Sequence, residues 1–326
     1  MQRSPGPASV VAESAPRLGV AGCGPASPQA RLVAGRYRLR ALLGRGGMGR
    51  VWLADDELLH RPVALKQELL SDPTANASRS APDRLVVEAC TAANVNHSGA
   101  VTIYDVVTDD GQNWIVMEPL FGPTLGELIS VEGHLPVPKV AAIGLRLLTV
   151  LQAAHRVGIV HCDVKPANVH VCDDGRVVLT DFGIAHRMLD EADGTTQIFA
   201  GSPVYAAPEV LRGGDPEPAS DLFSLGATLF AAVEGKPPFH GTSLLDTVIA
   251  VVDGEPAPFL HAGPLRPVLD GLLAKQPGDR LTADQTRVAL WDIQHEAQLR
   301  AGSQEREQPP GRFVPRLHDE ILREFA

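Results

Sequence analysis

The residues able to do chemistry fall into two groups. The first is the string Leu43-Gly44-Arg45-Gly46-Gly47-Met48-Gly49-Arg50-Val51, set between two β-prone runs. At a glycine-rich tip no Cβ atoms stand in the way, so backbone N–H groups can approach phosphate oxygens. The same string also opens dinucleotide-binding units, but a helix should then follow, and Val51-Trp52-Leu53-Ala54 is β-prone instead. An ordinary glycine hairpin stays open as a reading. Lys66 ends the apolar run Val63-Ala64-Leu65-Lys66. It either holds an anion beneath the glycines or sits solvated at a strand edge, and Glu88 either aims it through an ion pair or is a plain surface carboxylate. The second group is Asp163, Lys165 and Asn168 within Ile159–Val169, followed by Asp181-Phe182-Gly183. An ionised carboxylate can orient a hydroxyl proton, and carboxylate and amide oxygens suit hard divalent cations. By residue type alone, Asp163 and Asp181 read more readily as turn residues or helix caps.

These side chains need elements to position them. From Tyr37 to about Glu118 the chain shows short β-rich runs: Tyr37–Leu43, Val51–Ala54, Val63–Lys66, Val101–Val107 and Trp114–Met117. One helix-like stretch, Asp83–Asn94, interrupts them. From Thr124 onward helical periods dominate. Lys139–Val157 puts Val140, Ile143, Leu147, Leu151 and Ala154 on one face, and Ser220–Glu234 and Ala283–Gln298 are further helices. Asp221 and Asp284 lie near the starts of these two, where side-chain oxygens help to cap. Short strands are expected at Val169–Cys172 and Val177–Thr180. The pattern is a small antiparallel-sheet lobe joined to a larger helical lobe with a cleft between them.

Residues 1–34, rich in Pro, Gly, Ser and Ala, read as a flexible leader, and 299–326 as a polar tail whose stretch Leu317–Phe325 has the spacing of a short amphipathic helix. The formal charge of −10 argues against a dedicated nucleic-acid or anionic-membrane binder. The four cysteines form no CxxC pair, so zinc and redox motifs are weak readings and a reducing cytoplasm is expected. The most apolar stretch, Val140–Ala154, carries Arg146 and reads as a core helix rather than a membrane span, and no signal-peptide core is expected at the N-terminus.

Ala207-Pro208-Glu209 closes a stretch rich in Gly, Thr and Ser. In order and spacing, the glycine string, Val63-Ala64-Leu65-Lys66, His161-Cys162-Asp163-Val164-Lys165-Pro166-Ala167-Asn168, Asp181-Phe182-Gly183 and Ala207-Pro208-Glu209 resemble the protein-kinase superfamily. The resemblance covers about residues 36–298 and is to the bacterial serine/threonine kinases of eukaryotic type. It implies an α+β, two-lobed fold in residues 35–298. A small antiparallel β-sheet N-lobe with one main helix spans about 35–118, and a larger, mainly helical C-lobe spans 119–298. It also implies transfer of the γ-phosphoryl group of Mg-ATP to Ser/Thr hydroxyls of proteins, with autophosphorylation.

The roles implied follow the motifs. Asp163 would receive the acceptor's proton and Lys165 would neutralise charge on the moving phosphoryl group. Lys66, fixed by Glu88, would hold the α/β-phosphates, and Asn168 and Asp181 would bind Mg²⁺, or Mn²⁺ in its place. Leu43, Gly44, Gly46, Gly47 and Gly49 would cover the nucleotide, while Val51, Ala64 and the gatekeeper Met117 would enclose the adenine. Glu118 and Leu120 would offer it backbone groups, with Pro119 stiffening the hinge between them. Ser202 would contact Asp163 and Lys165 and favour Ser/Thr acceptors. Glu209 would pair with Arg280, Asp221 would brace the catalytic loop, and His161 is a scaffold residue rather than a base. Thr195 and Thr196 resemble the autophosphorylated threonines of relatives, or are simply exposed. The resemblance also admits a homodimer through the small lobe. Two rivals are a pseudokinase, weighed against by retention of Lys66, Glu88, Asp163, Asn168 and Asp181, and a small-molecule phosphotransferase, weighed against by the Ser202-Pro203 and Ala-Pro-Glu segments. One departure stands out: Cys162 replaces the Arg that precedes the catalytic Asp in most relatives and that meets an activation-loop phosphate. Constitutive activity, or control by another contact, is therefore expected, and the Cys162 thiol is either a redox handle or, more readily, buried and inert.

Overall fold

The computed structural model describes residues 31–46, 49–68, 86, 89–182 and 203–307. Strand β2 (Tyr37–Gly46) alternates inward Tyr37 and Leu39 with outward Arg38 and Arg40, the period of a half-buried strand. It pairs antiparallel with β3 (Gly49–Asp56), and the register closes with Gly46 opposite Gly49. The glycine string is thus strand up to Gly46 and again from Gly49. With β1 (Leu32–Val33) at one edge, strands β4 (Arg61–Glu68), β5 (Ile103–Asp109) and β6 (Gln112–Met117) complete the sheet in the order β1-β2-β3-β4-β6-β5. Its inner face buries Tyr37, Leu39, Val63, Leu65, Trp114 and Val116.

The edge strand β1 (Leu32–Val33) lies inside the stretch read from sequence as leader, with Val33 fully buried. The sheet curls so that its two edges meet there. Arg31 donates to Asp109 of β5 at 2.9 Å, and the Ala34 N–H donates to the same carboxylate at 3.0 Å. Arg36 grips Asp56 with two bonds of 2.8 and 2.7 Å.

The second lobe is built from α1 (Leu125–Glu132), α2 (Val137–Arg156), α3 (Pro218–Glu234), α4 (Leu244–Asp253), α5 (Arg266–Leu272) and α6 (Ala283–Glu307). A two-stranded ribbon, β7 (Val169–Val171) with β8 (Val177–Leu179), sits beside them. Thr124 and Glu127 form a capping box at the start of α1. Helix α2 is long and apolar enough to cross a bilayer, yet Val140, Leu147, Leu148 and Leu151 are fully buried in the lobe's own core. That core also takes in Val164, Val169, Leu179 and Phe182, which tether the catalytic segments to the helices. Truncating Leu147 to Ala would cost about 2–5 kcal/mol on this burial.

The capping roles expected of Asp221 and Asp284 do not hold. Glu217 and Ser220 box the start of α3, and Thr282 accepts the Gln285 N–H at the start of α6. Asp284 instead pairs with Arg287, and Asp221 is fully buried and faces inward. Helix α6 runs to Glu307, past the domain end read at residue 298.

Candidate active site

A cleft of about 500 Å³ opens between the sheet and the helical lobe. From above, Leu43, Gly44, Gly49, Val51, Ala64 and Lys66 line it, the end of β6 contributes Met117, and the β6–α1 connection contributes Glu118 and Leu120. Asp181 and Phe182 close its far side. This brings together nearly all the residues expected to hold a nucleotide. Gly47, Glu88, Thr195, Thr196 and Ser202 lie outside the described residues. Where the connection passes β7, Gly122 has φ +117° and a Cβ there would sit 2.5 Å from the Val171 carbonyl oxygen, so only glycine fits.

Lys66 is nearly buried, and its Nζ donates to Asp181 Oδ1 at 2.7 Å. Burial alone would raise the Asp181 carboxyl. The Lys66 ammonium first, then His161 and Lys165, outweigh this and hold it below the usual range. A second cluster adjoins it. Lys165 Nζ donates to Asp163 Oδ2 at 2.7 Å, and Asn168 Nδ2 donates to the same oxygen and to the Asp163 carbonyl, both at 2.9 Å. The clusters are joined through Thr180, whose N–H donates to the Asn168 carbonyl at 2.9 Å and whose own carbonyl lies 2.9 Å from His161 Nε2. His161 Nδ1 accepts the Asp163 N–H at 3.2 Å, and the ring packs edge-on to Phe182. With both ring nitrogens engaged and the residue fully buried, His161 is scaffold, as expected.

The donor set fits a hard divalent cation. The Asn168 amide nitrogen is committed to Asp163, which leaves its oxygen uncommitted, and Asp181 supplies a carboxylate a short contact chain away. Among the described residues no cluster of three or more His, Cys, Asp or Glu forms a protein cage. Two oxygens completed by substrate phosphates and water is the pattern Mg²⁺ prefers.

The model of the protein kinase domain matches residues 37–291. This chain belongs to the protein kinase family. Among curated proteins, the kinase is 33% identical over 315 residues to the probable serine/threonine-protein kinase PknB of Corynebacterium glutamicum, covering 89% of this chain and 48% of that protein. It is 37% identical over 259 residues to the serine/threonine-protein kinase PknA of Mycobacterium tuberculosis, covering 76% of this chain and 58% of that one. The chain thus spans about half the length of the curated relatives it matches.

In this kinase the turn before Asp163 is strained. Cys162 has φ +65° and Asp181 has φ +62°, the left-handed region that side chains avoid, at about 1–3 kcal/mol each. Asp221 holds the first of them: its carboxylate accepts the N–H groups of His161 and Cys162, both at 2.9 Å, and contacts His155 Nε2 at 2.7 Å. Burial first, then the charges of Asp221 and Asp163, push the Cys162 thiol far above its ordinary range. It is a poor thiolate, and the redox reading falls. Glu209 and Arg280 form the expected pair through bonds of 2.7 and 2.6 Å, with Ser220 donating to Glu209 at 2.7 Å.

Four contributors escape sequence reasoning. His155 and Thr180 act through residues far away in sequence, although His155 shares the core-facing side of α2 with Leu151, which was a usable signal. Thr102 and Arg176 act on the hinge. Glu118 Oε1 accepts from the Thr102 N–H at 2.9 Å and from its hydroxyl at 3.0 Å, while Oε2 accepts from Arg176 at 2.9 Å. The Glu118 N–H donates to the Thr102 carbonyl, so it is the Glu118 carbonyl that is left to face a ligand.

Proposed function

We propose that this kinase transfers the γ-phosphoryl group of Mg-ATP to serine and threonine hydroxyls of proteins, its own included. The observation that carries the reading is Asp163. One of its oxygens is held by Lys165 and Asn168, and the other is left for an acceptor hydroxyl. The apolar walls formed by Val51, Ala64 and Met117 suit a purine, and the Glu118 carbonyl and Leu120 N–H suit its polar edge. Lys66 would exchange its bond with Asp181 for the α/β-phosphates. A divalent cation on Asn168 and Asp181, read as Mg²⁺ with Mn²⁺ as substitute, would offset phosphate charge. Asp163 orients the hydroxyl and accepts its proton as the oxygen bonds to the γ-phosphorus. The bond to the β-phosphate oxygen breaks, and ADP leaves with the electron pair. Lys165 neutralises charge on the group in flight.

The relatives' names and the presence of Ser202 support the Ser/Thr preference. The unpaired thiols Cys90, Cys162 and Cys172 support a cytoplasmic setting for the domain. The test is incorporation of labelled phosphate into protein from Mg-ATP, with Asp163→Asn as control. Incorporation lost in the variant supports transfer. Nucleotide binding without incorporation in either form points to a pseudokinase.

A further inference from the structure

Helix α6 is apolar on two sides. One side, with Leu290 fully buried and Ala289 and Ile293 packed against the core, faces the lobe. On the opposite side, Val288 is 59% exposed and Trp291 is 53% exposed. His295 stacks on Trp291 with ring centroids 4.7 Å apart and planes 10° off parallel. These three follow the 3–4 spacing of a helix face. Nothing among the described residues covers them, and a half-exposed indole in such a stripe marks a contact surface.

The same chain carries a segment with the matching property. On a helix Leu317, Ile321, Leu322 and Phe325 would fall on one side and Asp319, Glu320 and Arg323 on the other, with Glu324 at the boundary beside Leu317. A helix this short does not hold in water unaided and needs an apolar surface. The tether is long enough. Trp291 lies about 24 Å back along the axis from Glu307, and residues 308–316 span about 30 Å when extended. Proline is a poor helix residue and glycine tolerates a reversal, and the sequence after Glu307 carries Pro309, Pro310 and Gly311. A tethered segment meets its site at millimolar effective concentration, so a small interface suffices.

We propose that the segment Leu317–Phe325 folds back as a helix onto the Val288–Trp291–His295 face of α6, as an intramolecular clasp. Trp291 reports on it directly. Its fluorescence is isolated by subtracting a Trp291→Phe form of each protein, which leaves Trp52 and Trp114 as common background. Acrylamide should quench Trp291 about twofold more readily in a chain ending at Glu307 than in the full chain, as expected when most of an indole's contact area is uncovered. Phe325→Asp in the full chain should match the truncation, whereas Phe325→Leu should not. A peptide of residues 308–326 added to the truncated chain should restore protection. Equal quenching in the full and truncated chains overturns the proposal. So does protection that grows with protein concentration, which would make the occupant a second copy. Hydrogen exchange showing that the tail shields Leu245 and Ile249 of α4 instead of α6 overturns it as well.

Discussion

Asp163 works as half a carboxylate: Lys165 and Asn168 occupy one oxygen and fix where the other points. Asp163→Asn keeps the shape but cannot accept a proton, so kcat should fall by about 10²–10⁴ while ATP affinity, read by titration calorimetry, stays near its original value. One residue away, Cys162 offers no cation to an activation-loop phosphate. The double variant Thr195→Ala/Thr196→Ala should therefore retain most of its turnover, and a large loss in a steady-state assay would sink that expectation. Slow alkylation of Cys162 near neutral pH should accompany it, because burial keeps the thiol protonated. At this scale the sequence is highly legible. Lys66, Asp163, Asn168 and Asp181 each sit in a short string whose order carries the signal. Glu88, read from the helix-like stretch Asp83–Asn94, and Ser202, read from its place before Pro203, stand as expectations. Thr180 is not legible, because it acts mainly through its backbone groups, with its hydroxyl adding a 3.2 Å bond to the Asn168 carbonyl.

Helices and turns are where the site is held in shape. A fully buried carboxylate on α3 takes two N–H groups from the catalytic turn and a contact from the end of α2. Spacing near a helix start suggests a cap for Asp221, since sequence does not reveal which way a side chain faces. Only the bracing role survives. Asp221→Ala should leave those N–H groups unpaired beside a strained turn and lower both kcat and melting temperature. The Glu209–Arg280 pair joins the Pro208–Leu211 turn to the segment before α6, with the Arg280 side chain only 1% exposed. Arg280→Met should cost about 3–5 kcal/mol in denaturant unfolding, because a carboxylate is left without its cation. The pH dependence follows from the same groups. Burial would raise Glu209, but the Arg280 and Ser220 hydrogen bonds hold it below its usual range. In Asp56 the Arg36 bonds prevail over burial and lower it to about 2. Both bind protons more weakly folded than unfolded. Their contribution is complete above the unfolded carboxylate range, declines as pH falls below it, and is gone once pH has passed through the folded values. Thermal melts from pH 7 to pH 2 should show stability falling monotonically on the acid side, with a shallower fall in the Glu209→Gln protein.

The two lobes, their order and the cleft between them are legible from one change in periodicity, from two to three or four, after about Glu118. How the lobes are joined is not. Glu118 reads from sequence as a backbone donor or acceptor, yet its carboxylate also ties Thr102 to Arg176 across the hinge. Arg176→Ala should speed hydrogen exchange at the Thr102 amide and shift KM for ATP more than kcat, with exchange mass spectrometry and initial rates as the readouts. The boundary at residue 35 misses β1 because two residues are too short a strand for any periodic signal. Its contacts with Asp109 give that strand a further meaning. A strand edge with unpaired amides is a template for another chain. Here Arg31 and Ala34 tie the first strand to the last through the Asp109 carboxylate, which holds the two edges together without a backbone ladder between them. The Asp109 tie obstructs strand addition at this seam, so self-association through this lobe is expected to favour contact between surfaces. A protein expressed from Gly35 onward should expose that seam and form thioflavin-positive aggregates on warming, whereas one begun at residue 31 should not.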